Sequence, residues 1–275
     1  MKKRFYELNP VCYALARRKE ICRRHMRNLL SRTDWAKDIR QERLPVVVSA
    51  HSSNLIKRAK GIDITLQENK AVNIDLACRK MHGLVIHPGE TFSFWKLVGN
   101  ATRRKGYKDG RVLINNRLRP GPGGGLCNLA NTIHLLVLHS PLTVTELHTH
   151  SDALAPDEGK RVPFSSGTSV NYNDVDFRFA NHTDQDFQLL LWCADEKLHG
   201  ELRCCREIPY RYELTEEDHH FRPEGEKYYR VSRIYKDTID RTTGALVEHK
   251  LVRDNHSEVM FDSSLIPREL IRADE

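Results

Sequence analysis

A run of glycines leads directly into the most apolar helical segment of the chain. Residues 120–125 read PGPGGG, and residues 126–139 read LCNLANTIHLLVLH before Ser140 and Pro141 end the pattern. Proline and glycine break regular structure, whereas an all-round apolar helix has to be buried. We therefore expect a glycine-rich loop that opens into a central helix with Cys127 in its first turn.

The order of the other predicted elements indicates the fold class. A helix is predicted over residues 68–81, and strands over 84–87, 111–114, 143–150, 174–180, 186–192 and 198–204, with a hairpin from 228–236 and 245–253. Helices come first and strands later, without βαβ alternation, which favours an α+β fold with a mostly antiparallel sheet.

Three segments follow from this pattern. We expect a basic amphipathic N-terminal helical segment over 1–43, an α+β core domain over 44–204 and a C-terminal β-hairpin extension over 205–275. Residues 205–227 are polar and are predicted to separate the core from the hairpin.

Positive charge is concentrated in the first of these segments. The whole chain carries 44 Lys and Arg against 37 Asp and Glu, a net charge of +7. Residues 1–43 hold 13 of the former and 5 of the latter, a net +8, which leaves 31 against 32, a net −1, for the rest. Because the body has no net basic charge, nucleic acid is not an expected partner.

Residues 11–30 have helical periodicity, with Leu15, Ile21, Cys22, Met26 and Leu29 on one stripe and most arginines off it. Two interpretations stay open. The helix could contact an anionic membrane surface, or its apolar stripe could pack on the core and leave the basic face in solvent.

The expected compartment follows from sequence patterns that we do not find. No apolar run approaches the ~20 residues that a transmembrane helix needs, and the basic N-terminus lacks the apolar core of a signal peptide. The seven cysteines contain no CxxC pair. We expect a protein in the cytoplasm or at the inner face of the membrane, without a cofactor.

Cys127 is the candidate nucleophile. Backbone N–H groups and the positive end of the helix dipole meet at a helix N-terminus, which lowers a thiol pKa and can stabilise an oxyanion. Gly124, Gly125 and Asn128 are the candidate substrate-binding and oxyanion residues. The alternative is a glycine turn before a helix that begins with a buried structural cysteine.

A catalytic cysteine needs a base within hydrogen-bond reach. His148 and His150 share one face of the predicted strand 143–150 and are the candidates. His134 lies about 10 Å along the helix from Cys127 and is interpreted as a core histidine. Cys127, His148 and His150 could also hold zinc, but no fourth ligand is evident, and we predict no metal.

Five motifs, in order along the chain, resemble those of the VanW family. They are PGETFSFW at 88–95, YKDG at 107–110, GGGLC at 123–127, HTHS at 148–151 and DFRFANHT at 176–183. The resemblance covers roughly residues 60–195, and the chain is identified as a member of this family. One position departs from the pattern: Asn128 follows the cysteine, where the family usually has the longer Gln.

The resemblance implies a cell-envelope context and a link to glycopeptide resistance. It also implies a candidate activity, cysteine-dependent acyl transfer of the L,D-transpeptidase type on peptidoglycan stem peptides or their precursors. The alternative is a non-catalytic accessory or binding protein of the same pathway. In that case the glycine loop is expected to bind a carboxylate.

Overall fold

The computed structural model describes residues 5, 8–56, 58, 63–114, 117–149, 152–153, 156 and 167–272. Within them lie four α-helices: α1 (Pro10–Leu30), α2 (Ile64–Cys78), α3 (Phe94–Val98) and α4 (Leu126–Leu138). None of these helices is both long enough and apolar enough to span a bilayer.

The same residues form fourteen strands: β1 (Asp38–Ile39), β2 (Val46–Asn54), β3 (Leu84–Ile86), β4 (Thr91–Ser93), β5 (Asp109–Ile114), β6 (Arg117–Pro122), β7 (Thr143–Glu146), β8 (Asp152–Ala153), β9 (Arg178–Ala180), β10 (Phe187–Ala194), β11 (Lys197–Cys204), β12 (Tyr210–Glu224), β13 (Lys227–Asp240) and β14 (Leu246–Val259). Every strand pairing is antiparallel except that of β14 with β8. The predicted α+β fold with mostly antiparallel sheets is confirmed.

A five-stranded sheet, in the order β1-β3-β10-β11-β2, forms the floor of the main core. β10 begins with FQLLL, and all five residues are buried. Its polar residue, Gln188, donates from Nε2 to the carbonyls of Arg40 and Glu42. α4 packs over β2 and β11. At Gly200 of β11 a Cβ would lie 2.8 Å from Leu136 Cδ1, so the helix sits closer to the sheet than a side chain would permit.

α4 is the central helix of this core. All of its residues are buried except Cys127 and Asn128, which are partly exposed. Gly125 precedes the helix with φ of 103°, in the left-handed region that favours glycine. The predicted Gly-rich loop leading into a central, Cys-bearing helix is confirmed.

A second, three-stranded sheet, β4-β9-β7, brings an aromatic cluster to the core. Phe92 and Phe179 stack with ring centroids 4.5 Å apart, and Phe177 contacts the ring of His134 at 5.3 Å. His134 is almost fully buried in α4. The interpretation of His134 as a core histidine is confirmed.

Strands β12, β13 and β14, with β8 at one edge, form a long C-terminal sheet. The expectation that residues 205–227 form a polar spacer is wrong, because β12 pairs with β13 along nearly its whole length. Its polar composition reflects a sheet with much of its surface in solvent. Leu135 and Leu138 of α4 pack against Ile234 of β13, and Lys236 Nζ donates to Ser140 O over 2.5 Å. The boundaries at residues 43 and 204 stay predictions.

Two of the element bounds that differ from expectation have a clear local cause. α2 starts at Ile64 and not at residue 68, because the Asp63 carboxylate caps the N–H groups of Thr65 and Leu66. β7 ends at Glu146, after an irregularity in its pairing with β9, so His148 lies beyond the strand.

Helix α1 forms as predicted, but its apolar stripe does not pack on the core. Leu15, Met26 and Leu29 are exposed. The interpretation that this stripe anchors the helix to the core is wrong, because polar residues on another face make the contacts.

Candidate functional site

The space beside each glycine of the loop before α4 is occupied by the chain itself. A Cβ at Gly124 would lie 2.2 Å from the carbonyl carbon of Gly110, and one at Gly125 would lie 2.1 Å from Lys70 Cγ. A Cβ at Gly123 would meet Ala101 Cβ at 2.8 Å. These glycines therefore permit close internal packing.

The loop amides also have internal partners. The N–H of Gly123 donates to Lys108 O over 3.2 Å and that of Gly124 to Gly121 O over 3.3 Å. At the helix start, the N–H of Asn128 donates to Gly125 O over 2.9 Å. These three amides, which could otherwise contribute to an anion-binding nest or an oxyanion hole, therefore have partners within the chain.

Asn73 of α2 holds the loop in place. This fully buried side chain donates from Nδ2 to Lys108 O over 2.9 Å and to Gly124 O over 3.0 Å, and its Oδ1 accepts from Lys108 N over 2.7 Å. One amide therefore joins α2, the segment at Lys108 and the glycine loop, which the sequence separates by 35 and 51 residues.

Cys127 lies in the first turn of α4, as predicted, and its thiol is hydrogen-bonded to the backbone. The residue is partly buried, and Sγ donates a hydrogen bond to Val170 O at 3.6 Å. Burial raises the pKa of the Cys127 thiol and outweighs the hydrogen bonds that lower it. The lowered thiol pKa expected from the helix N-terminus is not found, because removal from water disfavours the thiolate more than the backbone stabilises it.

Asn128 faces the central sheet. Its Oδ1 accepts a hydrogen bond from Ser53 Oγ of β2 at 3.4 Å. One turn later, Asn131 Oδ1 accepts from the N–H groups of Gly167 and Thr168, each at 3.1 Å. Asn131 thus fixes the backbone at Gly167 and Thr168, whereas Asn128 contacts a side chain of the sheet.

Residues 167–170 lie between α4 and the backbone at His148. Ser169 N donates to His148 O over 2.8 Å, one residue before the Val170 carbonyl that accepts the thiol of Cys127. On the side of α4, a hydrogen bond of 3.0 Å joins His134 Nδ1 and Thr168 Oγ1. Burial, with the charges of Arg253 and Lys236, lowers the pKa of His134 to about 3.

The imidazole of His148 points to a carboxylate. His148 Nε2 lies 3.1 Å from Glu146 Oε1. The second predicted base, His150, lies outside the described residues, so its placement relative to Cys127 stays a prediction. Within the part of the chain that the structure describes, no three His, Cys, Asp or Glu side chains are grouped to hold a metal.

Glu146 is the centre of a charged cluster that sequence reasoning missed. Arg24 of α1 donates to both Glu146 oxygens, over 2.7 and 2.6 Å, and to Asp174 O over 2.8 Å. Arg178 Nε lies 3.4 Å from Glu146 Oε2. Burial would raise the pKa of Glu146, but the hydrogen bonds and charges of these neighbours lower it.

Asp176 forms the buried end of this cluster. Its Oδ2 accepts from Ser93 Oγ at 2.6 Å and from Arg178 Nε at 2.7 Å, and its Oδ1 accepts from the N–H groups of Trp95 and Phe177. Ser93 and Trp95 belong to the PGETFSFW motif, and Asp176 and Arg178 to the DFRFANHT motif. The two motifs therefore form one hydrogen-bonded unit.

A sequence signal for this unit existed. Buried strands carry few charged residues, so an Asp and an Arg two positions apart in an aromatic strand indicate an ion pair. Their partners Arg24 and Glu146 are far away in sequence and carry no such signal.

Comparison with known proteins agrees with this arrangement of motifs. Residues 69–203 match the family described as "VanW like protein". The chain is 28% identical over 227 residues to "Vancomycin B-type resistance protein VanW" of Enterococcus faecalis (strain ATCC 700802 / V583), a match that covers 82% of each chain. It is 31% identical over 118 residues to "Uncharacterized protein YoaR" of Bacillus subtilis (strain 168), which covers 43% of this chain and 37% of that protein.

No solved structure gave a significant match. The family match spans all five motifs named above, from PGETFSFW to DFRFANHT, and it contains the glycine loop, Cys127 and Asp176. From this match and from the similarity to the enterococcal protein we conclude that the chain belongs to the VanW family.

Proposed function

We propose that this chain is a vancomycin-resistance-related protein of the cell envelope, which binds peptidoglycan stem peptides or their precursors without catalysing a reaction on them. The link to vancomycin resistance rests on the similarity to the enterococcal protein of that name. The ligand class rests on the same family relationship.

The environment of the Cys127 thiol is the main support for a non-catalytic role. The thiol of Cys127 donates to the Val170 carbonyl, and burial raises its pKa. A cysteine nucleophile has to be a thiolate with a base in reach, and the described candidate base, His148, is held by Glu146.

The glycine loop supports the same choice. An oxyanion hole requires preorganised N–H groups that point at the substrate. Gly123, Gly124 and Asn128 direct theirs to carbonyls of the chain, and the Cβ positions of Gly124 and Gly125 are occupied. We therefore also disfavour this loop as the carboxylate-binding nest, and assign it a structural role.

A second candidate is L,D-transpeptidase-type acyl transfer through Cys127. Its support is the partly exposed position of Cys127 in the first turn of α4, close to the backbone at His148. In this mechanism His150 acts as the base that removes the thiol proton, and the thiolate attacks a peptide carbonyl. The peptide C–N bond breaks to leave a thioester, and the departing amine takes the proton from His150. A second amine then attacks the thioester, and the Cys127 thiolate leaves.

Incubation with purified muropeptides and precursor peptides distinguishes the two functions. We expect saturable binding by calorimetry, no mass increase of the intact protein, and the same affinity for Cys127→Ala. A thioester adduct that appears on the parent chain and is absent from Cys127→Ala would establish acyl transfer. His150→Ala would then report whether that residue is the base. Failure of all peptides to bind would overturn the proposed ligand class.

A further inference from the structure

Helix α1 is held on the core by one narrow polar face. Arg24 makes the bidentate contact with Glu146, and the side-chain oxygen of Asn28 accepts from Arg178 Nη2 at 2.8 Å. Arg17 Nη2 lies 3.4 Å from Asn171 Oδ1. At 3.6 residues per turn, these three positions fall within an arc of about 40°.

A continuous apolar stripe runs along a different side of the same helix. It consists of Val11, Leu15, Cys22, Met26 and Leu29, which we call the α1 stripe. Its members fall within an arc of about 60°, centred roughly 150° away from the docked face. Cys22 is exposed, and the other four are between 52% and 78% exposed.

Positive charge borders the stripe. Arg18 lies at one edge, and Lys19 and Arg23 lie at the other, and all three are exposed. Glu20, the single acidic residue in the sequence of α1, is 3.6 Å from Arg23. An exposed apolar stripe with basic edges is typical of a helix that lies in the interface of an anionic bilayer.

We propose that α1 binds an anionic phospholipid surface through the α1 stripe, with the folded core on the side of the helix away from the membrane. The apolar side chains enter the headgroup boundary, while Arg18, Lys19 and Arg23 meet lipid phosphates. At 1.5 Å per residue, the helix offers a contact about 30 Å long.

The positive charge along the edges of the α1 stripe favours an anionic bilayer over a second copy of the chain as the partner of this stripe. Two α1 stripes packed together would bring their arginine and lysine edges into contact, and like charges in contact repel. An anionic bilayer instead supplies the opposite charge along the whole edge. The face of α1 that packs on the core differs from the face proposed to contact the membrane, so the helix can make both contacts at once. The two sequence-based interpretations treated these contacts as alternatives.

Sedimentation with vesicles tests this inference. We expect the full chain to sediment with vesicles of phosphatidylglycerol and phosphatidylcholine in roughly a 3:7 ratio, to stay in solution with phosphatidylcholine alone, and to lose binding as salt rises from about 0.1 M to about 1 M. Equal sedimentation with both vesicle types, or none with either, would overturn the proposal.

Variants locate the contact. Leu15→Glu/Met26→Glu should weaken vesicle binding by about tenfold or more, since two carboxylates would enter the headgroup region. Leu246→Glu/Leu251→Glu changes two exposed apolar residues of β14 and should leave binding unchanged. Because all four positions are exposed, both variants should keep the parent's melting temperature.

A second variant pair keeps the test decisive if the first misfolds. Arg18→Glu/Lys19→Glu should reduce binding and flatten its salt dependence. If Leu15→Glu/Met26→Glu binds as the parent does, or if it converts a parent dimer to a monomer in light scattering without changing vesicle binding, the stripe is not a lipid contact. The inference is independent of the proposed peptide ligand, so either can fail alone.

Discussion

Gly110 and Gly124 are in direct backbone contact: a Cβ on Gly124 would fall 2.2 Å from the carbonyl carbon of Gly110, and one on Gly110 would fall 2.7 Å from the carbonyl oxygen of Gly124. The two glycines come from the YKDG and GGGLC motifs. The motifs are thus required together, because each supplies the space that the other's backbone occupies.

Substitution of Gly124 by alanine should therefore destabilise the protein by about 3 kcal/mol, since neither backbone can move out of the overlap without moving β5 or α4. The measurement is urea denaturation. Gly225→Ala is the control, because a Cβ there meets nothing within 4 Å and the substitution adds only the strain of a positive φ, about 1 kcal/mol. Equal losses in the two variants would contradict the packing explanation.

Asn73→Ala should cost about 3 kcal/mol, because it removes all three hydrogen bonds of a buried side chain and leaves the backbone groups of Lys108 and Gly124 without this partner. Asn69→Ala, at a partly buried position of α2, removes one hydrogen bond to Asp109 O and should cost about 1 kcal/mol. Chemical denaturation compares the two. An Asn73 variant as stable as the Asn69 variant would show that the glycine loop does not depend on the hydrogen bonds of Asn73.

Arg24→Gln should lower the free energy of unfolding by about 2 kcal/mol, because the partly buried Glu146 loses its bidentate partner. Arg23→Gln, one residue earlier and exposed, should cost less than about 0.5 kcal/mol. Denaturation of both variants at neutral pH makes this comparison.

The difference in unfolding free energy between the parent and Arg24→Gln should also depend on pH. The folded-state pKa of Glu146 is lowered, so its stabilising contribution is present above the unfolded pKa of about 4.3 and is lost as pH falls through the folded value. The difference in unfolding free energy between the parent and Arg24→Gln should narrow over that acidic range. A difference that stays constant would exclude the ion pair as its source.

His134 should make the protein sensitive to mild acid. Its pKa is about 3 when folded and about 6.5 when unfolded, so the unfolded chain binds a proton that the folded chain does not. Stability from this group is complete above pH of about 6.5 and falls by about 1.4 kcal/mol for each pH unit below it. His134→Gln should flatten the stability profile between about pH 6.5 and 5, and an unchanged slope would refute this assignment.

The thiols should react in an order set by burial. Cys22 and Cys205 are exposed, whereas burial raises the pKa of Cys127. With iodoacetamide near neutral pH we expect both exposed thiols to be modified roughly tenfold faster than Cys127. Peptide mapping after a short exposure gives the order. Faster labelling of Cys127 would support the acyl-transfer candidate.

The sequence was informative where the interaction is local. The apolar run of α4 and the glycines before it predict a buried helix with a cysteine in its first turn, and the structure has that helix at Leu126–Leu138. Periodicity likewise predicts α1 and most strands, because the spacing of side chains along a helix or strand is a property of the segment itself.

The sequence-based predictions differ from the structure at positions whose conformation depends on a tertiary contact. β12 was predicted as a spacer because its composition is polar, yet pairing with β13 makes it a long strand. His148 was one of two candidate bases for Cys127 on a strand predicted to reach residue 150, but β7 ends at Glu146 and the imidazole of His148 lies 3.1 Å from that carboxylate. A shift of one residue in strand pairing redirects a side chain to the other face, and the sequence does not specify that shift.

Helix α1 shows the same division most directly. The sequence alone determines that one side of the helix is apolar and that most arginines lie elsewhere. Only the tertiary structure decides which side faces the core, because Arg24 docks against a glutamate 122 residues away and against a carbonyl 150 residues away. Hydrophobic patterning describes a preference for leaving water, whereas the position of a specific buried partner depends on the whole fold.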